Sequence, residues 1–108
     1  MSFNESIRTI ATFYGYDAQS RQLIEEMAEL MVAINKAYRL QKIPVIPFFD
    51  EVAMERKKAF ANIIEEIADV TIMIEQIKYL LSISDTDINE IIDQKLNRQL
   101  ERINNGLE

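Results

Sequence analysis

The stretches LIEEMAEL (23–30) and IIEEIADV (63–70) place acidic residues inside runs that are otherwise apolar. Each has two adjacent glutamates and a third acid three residues later: Glu25, Glu26 and Glu29 in the first, Glu65, Glu66 and Asp69 in the second. The surrounding apolar residues recur with the period of an α-helix: Leu23, Ile24, Met27, Leu30, Met31 and Ile34, then Ile63, Ile64, Ile67, Val70 and Ile74. Both stretches therefore predict amphipathic helices.

The rest of the chain predicts the same class of structure, because only two glycines and two prolines interrupt its 108 residues. We expect one all-α domain, 1–108, resembling a four-helix bundle. The predicted helices run from about Phe3 to Tyr14, Ala18 to Gln41, the end of a proline loop (41–51) to about Leu81, and Ile88 towards Asn104. Apolar residues on secondary helix faces (Ala28, Val32, Ala68 and Ile72) predict completion by a homodimer or homotetramer.

The composition excludes several classes of site and partner. With no cysteine and no histidine, a metal site here would use oxygen ligands, which suit Mg²⁺, Mn²⁺ and Ca²⁺. A di-iron carboxylate bundle is disfavoured because it requires histidines. The net charge of −6 argues against a nucleic-acid polymer as partner. No apolar run is long enough to span a membrane and no secretory leader is recognisable, so we expect a cytoplasmic protein.

The acidic residues lie at spacings that predict a shared site. Glu26 and Glu29 are three residues apart, and so are Glu66 and Asp69, so each pair shares one stripe of its helix. If the helices pack together, four carboxylates converge, and two such charges about 4 Å apart repel by roughly 4 kcal/mol at an effective dielectric of 20. A divalent cation would remove that conflict. The alternative, solvated surface glutamates on good helix-forming sequence, stays open at this point.

A cationic stripe lies near the C-terminus, in DQKLNRQLERI (93–103). Lys95, Arg98 and Arg102 share one side of the last predicted helix, where they are candidates for holding phosphate oxygens. Surface pairing with Asp93 and Glu101 is the alternative. Gln19 and Gln22, which precede the first acidic motif, are candidates for reading the edge of a base.

At EEMAE (25–29) and EIAD (66–69) the chain resembles the MazG-like family of all-α nucleoside triphosphate pyrophosphohydrolases. The lead-in YGYDAQSRQLIEE (14–26) and the basic pattern KLNRQLERI (95–103) are also similar, so the resemblance covers roughly 14–104. It implies an oligomeric, Mg²⁺-dependent enzyme, with Mn²⁺ as an alternative ion. Such an enzyme cleaves the α–β phosphoanhydride of a nucleoside triphosphate, giving a monophosphate and pyrophosphate.

Carried onto this chain, the resemblance assigns roles to the motif residues. Glu26, Glu29, Glu66 and Asp69 are the implied metal ligands, and Glu25 and Glu26 the implied catalytic residues, Glu25 being either a further ligand or the group that positions water. Lys95, Arg98 and Arg102 are the implied phosphate-binding residues, and Gln22 stays a candidate substrate-binding residue because of its position before the first acidic motif.

The chain departs from the family pattern in one respect. Thirty-six residues separate Glu29 from Glu66, more than is usual in the family, and the extra length falls around 41–51. A phosphoribosyl-ATP pyrophosphohydrolase and a dimeric deoxyuridine triphosphatase share the helical layout and stay open as alternatives. A non-catalytic helical interaction module is the third.

Overall fold

The computed structural model describes residues 1–44 and 50–106, which form three helices: α1 (Phe3–Gln41), α2 (Asp50–Leu80) and α3 (Asp85–Asn104). No strand occurs in these two ranges, so the all-helical prediction is confirmed. Residues 45–49 of the predicted proline loop lie outside the described residues. None of the described helices is long and apolar enough to cross a membrane.

The bend in α1 falls at Gly15, whose φ of 83° and ψ of 171° are not helical. A positive φ of this size favours glycine, because a Cβ would strain the backbone there. Gly15 therefore divides α1 into the two helices that the sequence predicts. Upstream, Ser2 caps the first segment in a reciprocal capping box with Glu5.

The start of α3 differs from the prediction by three residues, since it begins at Asp85 and not at Ile88. Ser84 is the cap: its Oγ accepts a hydrogen bond of 3.1 Å from the backbone N–H of Asp87. Asp85 and Asp87 then place negative charge in the first turn, where the helix dipole favours it.

Helices α1 and α2 form an antiparallel hairpin. Gln19, early in α1, donates a 2.7 Å hydrogen bond to Gln76, late in α2, while Arg56, early in α2, donates to the carbonyl of Leu40 near the end of α1. Along the two helices, one series of buried and half-buried residues recurs at alternating steps of three and four. We call them the seam: Gln19, Leu23, Glu26, Leu30, Ala33, Ala37 and Leu40 on α1, and Val52, Arg56, Ala59, Ile63, Glu66, Val70, Met73, Ile77 and Leu80 on α2. This is the spacing of a coiled coil.

The seam uses only part of the predicted apolar surface. Leu23 and Leu30 are partly covered in it, whereas Ile24, Met27 and Met31, which the sequence groups with them, are exposed. Each helix therefore carries two apolar stripes, of which the hairpin covers one.

Helix α3 stands apart from the hairpin, since within the described residues it packs against neither α1 nor α2. An ion pair between Lys78 of α2 and Asp85, the first residue of α3, links the two helices. Lys78 also forms an ion pair with Glu75. The radius of gyration is 18.7 Å, against about 13 Å for a compact chain of this length. The expected four-helix bundle is thus not closed within one chain.

Candidate metal centre

Three of the four predicted ligands meet in the middle of the hairpin. Glu26 and Glu29 of α1 and Glu66 of α2 each offer a carboxylate oxygen, and these oxygens lie within 4.8 Å of one another. Antiparallel packing produces this arrangement because Glu26 and Glu66 are both seam positions, flanked along the chain by apolar seam residues such as Leu23 and Ile63.

Two oxygens in this group lack any partner. Oε2 of Glu26 and Oε2 of Glu66 are buried and make no hydrogen bond. The other oxygen of Glu26 accepts a 2.8 Å bond from Nε2 of Gln22, one turn earlier on the same helix. An unpaired carboxylate oxygen away from water is costly, so these two atoms are the part of the site best suited to accept a cation or a hydrogen-bond donor.

The electrostatics of Glu29 point the same way. The pKa of its carboxyl is raised above the ordinary value, first by the negative charge of Glu26, then by partial loss of hydration and by the charge of Glu66. Mutual repulsion of carboxylates raises a pKa in this way when no positive charge balances them.

A cavity of about 360 Å³ opens beside the carboxylates. It is lined by Glu25, Ala28, Glu29, Val32, Asn62 and Glu66. The volume lies in the range of small-molecule sites. The lining combines the carboxylates of Glu25, Glu29 and Glu66 with the apolar side chains of Ala28 and Val32, so the cavity can take a ligand that has a charged part and an apolar part.

Asn62 is the residue of this cavity that the sequence reasoning missed. It lies four residues before Glu66 and therefore one turn away on the same side of α2. The four-residue spacing from Glu66 was the only feature of the sequence that could have indicated Asn62. A single amide in a helix does not form a recognisable motif. Its side chain supplies both a donor and an acceptor beside the acids.

The remaining predicted residues lie in different places. Glu25 is exposed and lines the cavity, whereas Asp69 is exposed and is not one of the three clustered acids. Gln22 is bonded to Glu26, so in this structure it orients a candidate ligand.

The cationic stripe of α3 does not lie beside the clustered acids of the hairpin. Lys95, Arg98 and Arg102 are exposed on α3, and no residue of α3 lines the acidic cavity. The structure therefore brings the acids together but does not bring the predicted phosphate-binding residues to them within one chain.

A second cavity, of about 290 Å³, lies at the junction of α2 and α3. Its cation Lys78 is already bonded to Glu75 and paired with Asp85, while Arg8 lies 5.8 Å from the ring centre of Tyr79. With Lys78 neutralised by two carboxylates, this cavity is a weaker candidate for phosphate or metal than the clustered acids.

Comparison of the chain with protein-family models, with curated proteins and with solved structures finds no match in any of the three. The likeness to the MazG-like family consequently rests on the short motifs alone.

Proposed function

We propose that this chain is a Mg²⁺-dependent nucleotide pyrophosphohydrolase of the MazG-like type, which cleaves the α–β phosphoanhydride of nucleoside triphosphates. The observation that carries the proposal is the pair of buried, unpaired oxygens on Glu26 and Glu66, beside Glu29. The EEMAE and EIAD motifs supply the reaction class, because the acids that meet in the hairpin come from these two motifs.

The donor set fits a small hard cation. Around one Mg²⁺ at about 2.1 Å from each ligand, neighbouring oxygens are about 3 Å apart and opposite ones about 4 Å. The oxygens of Glu26, Glu29 and Glu66, within 4.8 Å of each other, need to draw in by roughly an ångström to meet this geometry. Three carboxylates leave ligand positions for water and for phosphate oxygens. Mg²⁺ bound there would supply charge that polarises a phosphoryl oxygen and acidifies water.

The side chains around the carboxylates have separate tasks in this proposal. Gln22 holds Glu26 through its 2.8 Å hydrogen bond, which leaves the other oxygen of Glu26 for the ion. Glu25, exposed at the cavity, takes a proton from the attacking water. Asp69 is one turn beyond Glu66 on α2, and it serves as a further ligand only if its side chain turns towards the cluster.

The reaction balances without a covalent intermediate. A water oxygen bonds to the α-phosphorus, the bridging α–β oxygen leaves with the pyrophosphate, and one water proton passes to Glu25. A chain without cysteine or histidine has no thiol or imidazole nucleophile, so direct attack by water suits its composition. Lys95, Arg98 and Arg102 are proposed to neutralise the phosphates.

The experiment is a pyrophosphate-release screen across common and modified nucleoside triphosphates with Mg²⁺ or Mn²⁺, alongside thermal unfolding with and without the ion. We expect turnover and a rise in melting temperature, because the ion binds only the folded hairpin. Glu66→Gln should abolish the rise and lower turnover at least about 100-fold while helical content is unchanged.

Glu51→Gln is the matched control, since Glu51 is an exposed acid of the same helix about 22 Å from Glu66 along the axis. It should keep both the ion response and the turnover. A wild-type chain that ignores both ions and turns over no nucleotide would sink the proposal and leave the interaction module. Activity confined to phosphoribosyl-ATP or to dUTP would replace the general substrate with one of those two.

A further inference from the structure

Two lysines face each other across the hairpin, between the acidic cavity and the end of the hairpin at which α1 ends and α2 begins. Lys36 of α1 lies 17 residues after Gln19, and Lys58 of α2 lies 18 residues before Gln76. Because Gln19 and Gln76 are hydrogen-bonded to each other and the helices are antiparallel, the two lysines lie at nearly the same height along the hairpin. Both are exposed, and we call them the lysine pair.

The lysine pair lies on the side of the hairpin that carries the acidic cavity. Lys36 directly precedes the seam residue Ala37, and Lys58 directly precedes the seam residue Ala59. Four of the six cavity residues precede seam residues in the same way: Glu25, Glu29, Val32 and Asn62. A residue that precedes a seam position is rotated by about 100° from it around the helix axis. Since the helices are antiparallel and their seams face each other, this rotation turns all these residues to one side.

The charges of the lysine pair are not neutralised by the clustered acids. Lys36 is seven residues from Glu29, about 10 Å along the helix axis, and forms no ion pair within the described part of the chain. Lys58 lies 3.8 Å from Glu55, but the two side chains are 70% and 46% exposed, so this contact holds Lys58 only weakly. Both ammonium groups are therefore available to an anionic ligand.

The order of residues along α1 suits an in-line displacement. Glu25, the proposed acceptor of the water proton, is followed one turn later by Glu29 of the clustered acids, and Lys36 lies two turns beyond Glu29. In phosphoryl transfer the attacking and leaving oxygens lie roughly in line on opposite sides of phosphorus. With the α-phosphorus at the clustered acids and the water at Glu25, the leaving group points towards the lysine pair.

The interval that holds both lysines is also where the chain departs from the MazG-like pattern. Lys36 and Lys58 fall within the 36 residues between Glu29 and Glu66, so the two acidic motifs assign no role to either lysine. The predicted phosphate-binding residues of α3 line no part of the acidic cavity within one chain. The lysine pair supplies positive charge on the same hairpin and on the same side as the cavity.

We propose that Lys36 and Lys58 bind the two phosphates that leave as pyrophosphate, so that the phosphate chain of the substrate runs from the clustered acids towards the lysine pair. This inference rests on the proposed function and adds the direction in which the substrate lies. Val32 and Asn62, at the end of the cavity, are each one turn from a lysine, and the flexible four-carbon stem of lysine crosses such a distance. Hydrogen bonds from an ammonium group to phosphate oxygens are charge-assisted and therefore strong. The lysine pair acts in addition to any cation that α3 supplies.

The test is product inhibition of the hydrolysis, because the two products occupy different parts of the site. Lys36→Ala and Lys58→Ala should each raise the inhibition constant of pyrophosphate at least about 10-fold and leave that of the nucleoside monophosphate unchanged. Lys58→Arg should stay close to the wild type, since it keeps the positive charge. Damage to the fold would change the inhibition constants of both products, so the difference between the products reports the contact itself.

Lys57→Ala is the matched control. It removes the same charge from an exposed neighbouring position, but Lys57 directly follows the seam residue Arg56 and therefore faces the other side of the hairpin. Its inhibition by pyrophosphate should equal that of the wild type. If the wild type turns over nucleotides while Lys36→Ala and Lys58→Ala behave like Lys57→Ala, the inference is wrong and the proposed function stands.

A binding measurement decides the case in which the wild type turns over no nucleotide, an outcome that fails the proposed function. Pyrophosphate with Mg²⁺ should then still raise the melting temperature of the wild type, because the anion binds the folded chain. The double variant Lys36→Ala/Lys58→Ala should show a clearly smaller rise. An equal rise in both proteins, or no rise in the wild type, would overturn the assignment of pyrophosphate to the lysine pair.

Discussion

The two sides of the α1–α2 hairpin differ although the same helices form both. Residues that precede seam positions include Glu25, Glu29 and Asn62 and line a cavity, whereas residues that follow seam positions include Met27, Ile64 and Ile67 and form an exposed apolar face. A step of two residues along one helix thus separates a cluster of acids from an exposed apolar surface. The two kinds of position are about 200° apart around the helix axis.

The acids of the cluster reduce the apolar packing of the seam that lies between the two sides. Glu26 and Glu66 occupy positions that a coiled coil normally fills with apolar side chains, and each leaves one oxygen buried and unpaired. Two buried alanines of the seam, Ala33 and Ala59, are small enough to let α1 and α2 approach each other closely. The hairpin thus has less apolar packing at its centre than a coiled coil with apolar residues at these two positions.

The largest expected effect tests whether the acidic side receives its cations from another chain. Because α3 does not pack on its own hairpin, we expect Lys95 and Arg98 to serve a neighbouring copy. The variant Glu66→Gln and the double variant Lys95→Ala/Arg98→Ala should each be nearly inactive. Their equimolar mixture, unfolded and refolded together, should recover about a quarter of wild-type turnover, since half of random dimers contain one intact composite site.

Pyrophosphate release by the mixture, against each variant refolded alone, is the measurement. No recovery from a mixture that sedimentation shows to contain dimers would place the stripe in its own chain's site, or outside the site altogether.

An intermediate effect is expected from breaking the buried amide pair of Gln19 and Gln76, which joins α1 to α2. Gln76 is 2% exposed and accepts a 2.7 Å bond from Gln19, which is 7% exposed. Gln76→Ala should lower the free energy of unfolding by about 2–3 kcal/mol, because it leaves the Gln19 amide unpaired beside a cavity.

Chemical denaturation at fixed protein concentration measures this loss. Gln94→Ala, at an exposed position of α3, is the control and should change stability by less than about 0.5 kcal/mol. Equal stability of the two variants would show that the buried amide pair does not hold the register.

The smallest expected effect is a pH dependence confined to the acidic side. Glu29 has a raised pKa in the folded chain, first because of the charge on Glu26, so the folded state binds more protons than the unfolded state between the two pKa values. Without divalent ions, stability should therefore fall as pH rises from about 4.5 through the folded pKa, and level off above it. Added Mg²⁺ should reverse the trend, since protons compete with the ion for the carboxylate.

Melting temperatures of the wild type and Glu29→Gln, measured across this pH range with and without Mg²⁺, give the contribution of Glu29 as a difference. Parallel pH profiles for the two proteins would contradict it. Because Glu29 is exposed, the shift is expected to be small.

Local features of the sequence predicted most of the secondary structure. Gly15 marks the bend in α1 because a positive φ favours glycine, and the helical period of 63–74 predicts α2 without reference to any other part of the chain. The start of α3 was harder to predict. Several residues in 82–87 are able to cap a helix, and only the structure shows that Ser84 does so.

The sequence by itself determined that the chain is helical and that acids recur at one phase of two helices, because period, glycine and proline act within a few residues. Only the tertiary structure decided which apolar stripe becomes the seam, that Glu26, Glu29 and Glu66 meet while Asp69 lies outside the group, and that α3 stands apart. The two stripes on each helix share one period, and the seam includes Glu26 and Glu66 whereas the exposed stripe is more apolar, so neither periodicity nor hydropathy identifies the seam. The choice depends on which pair of helix surfaces fits together.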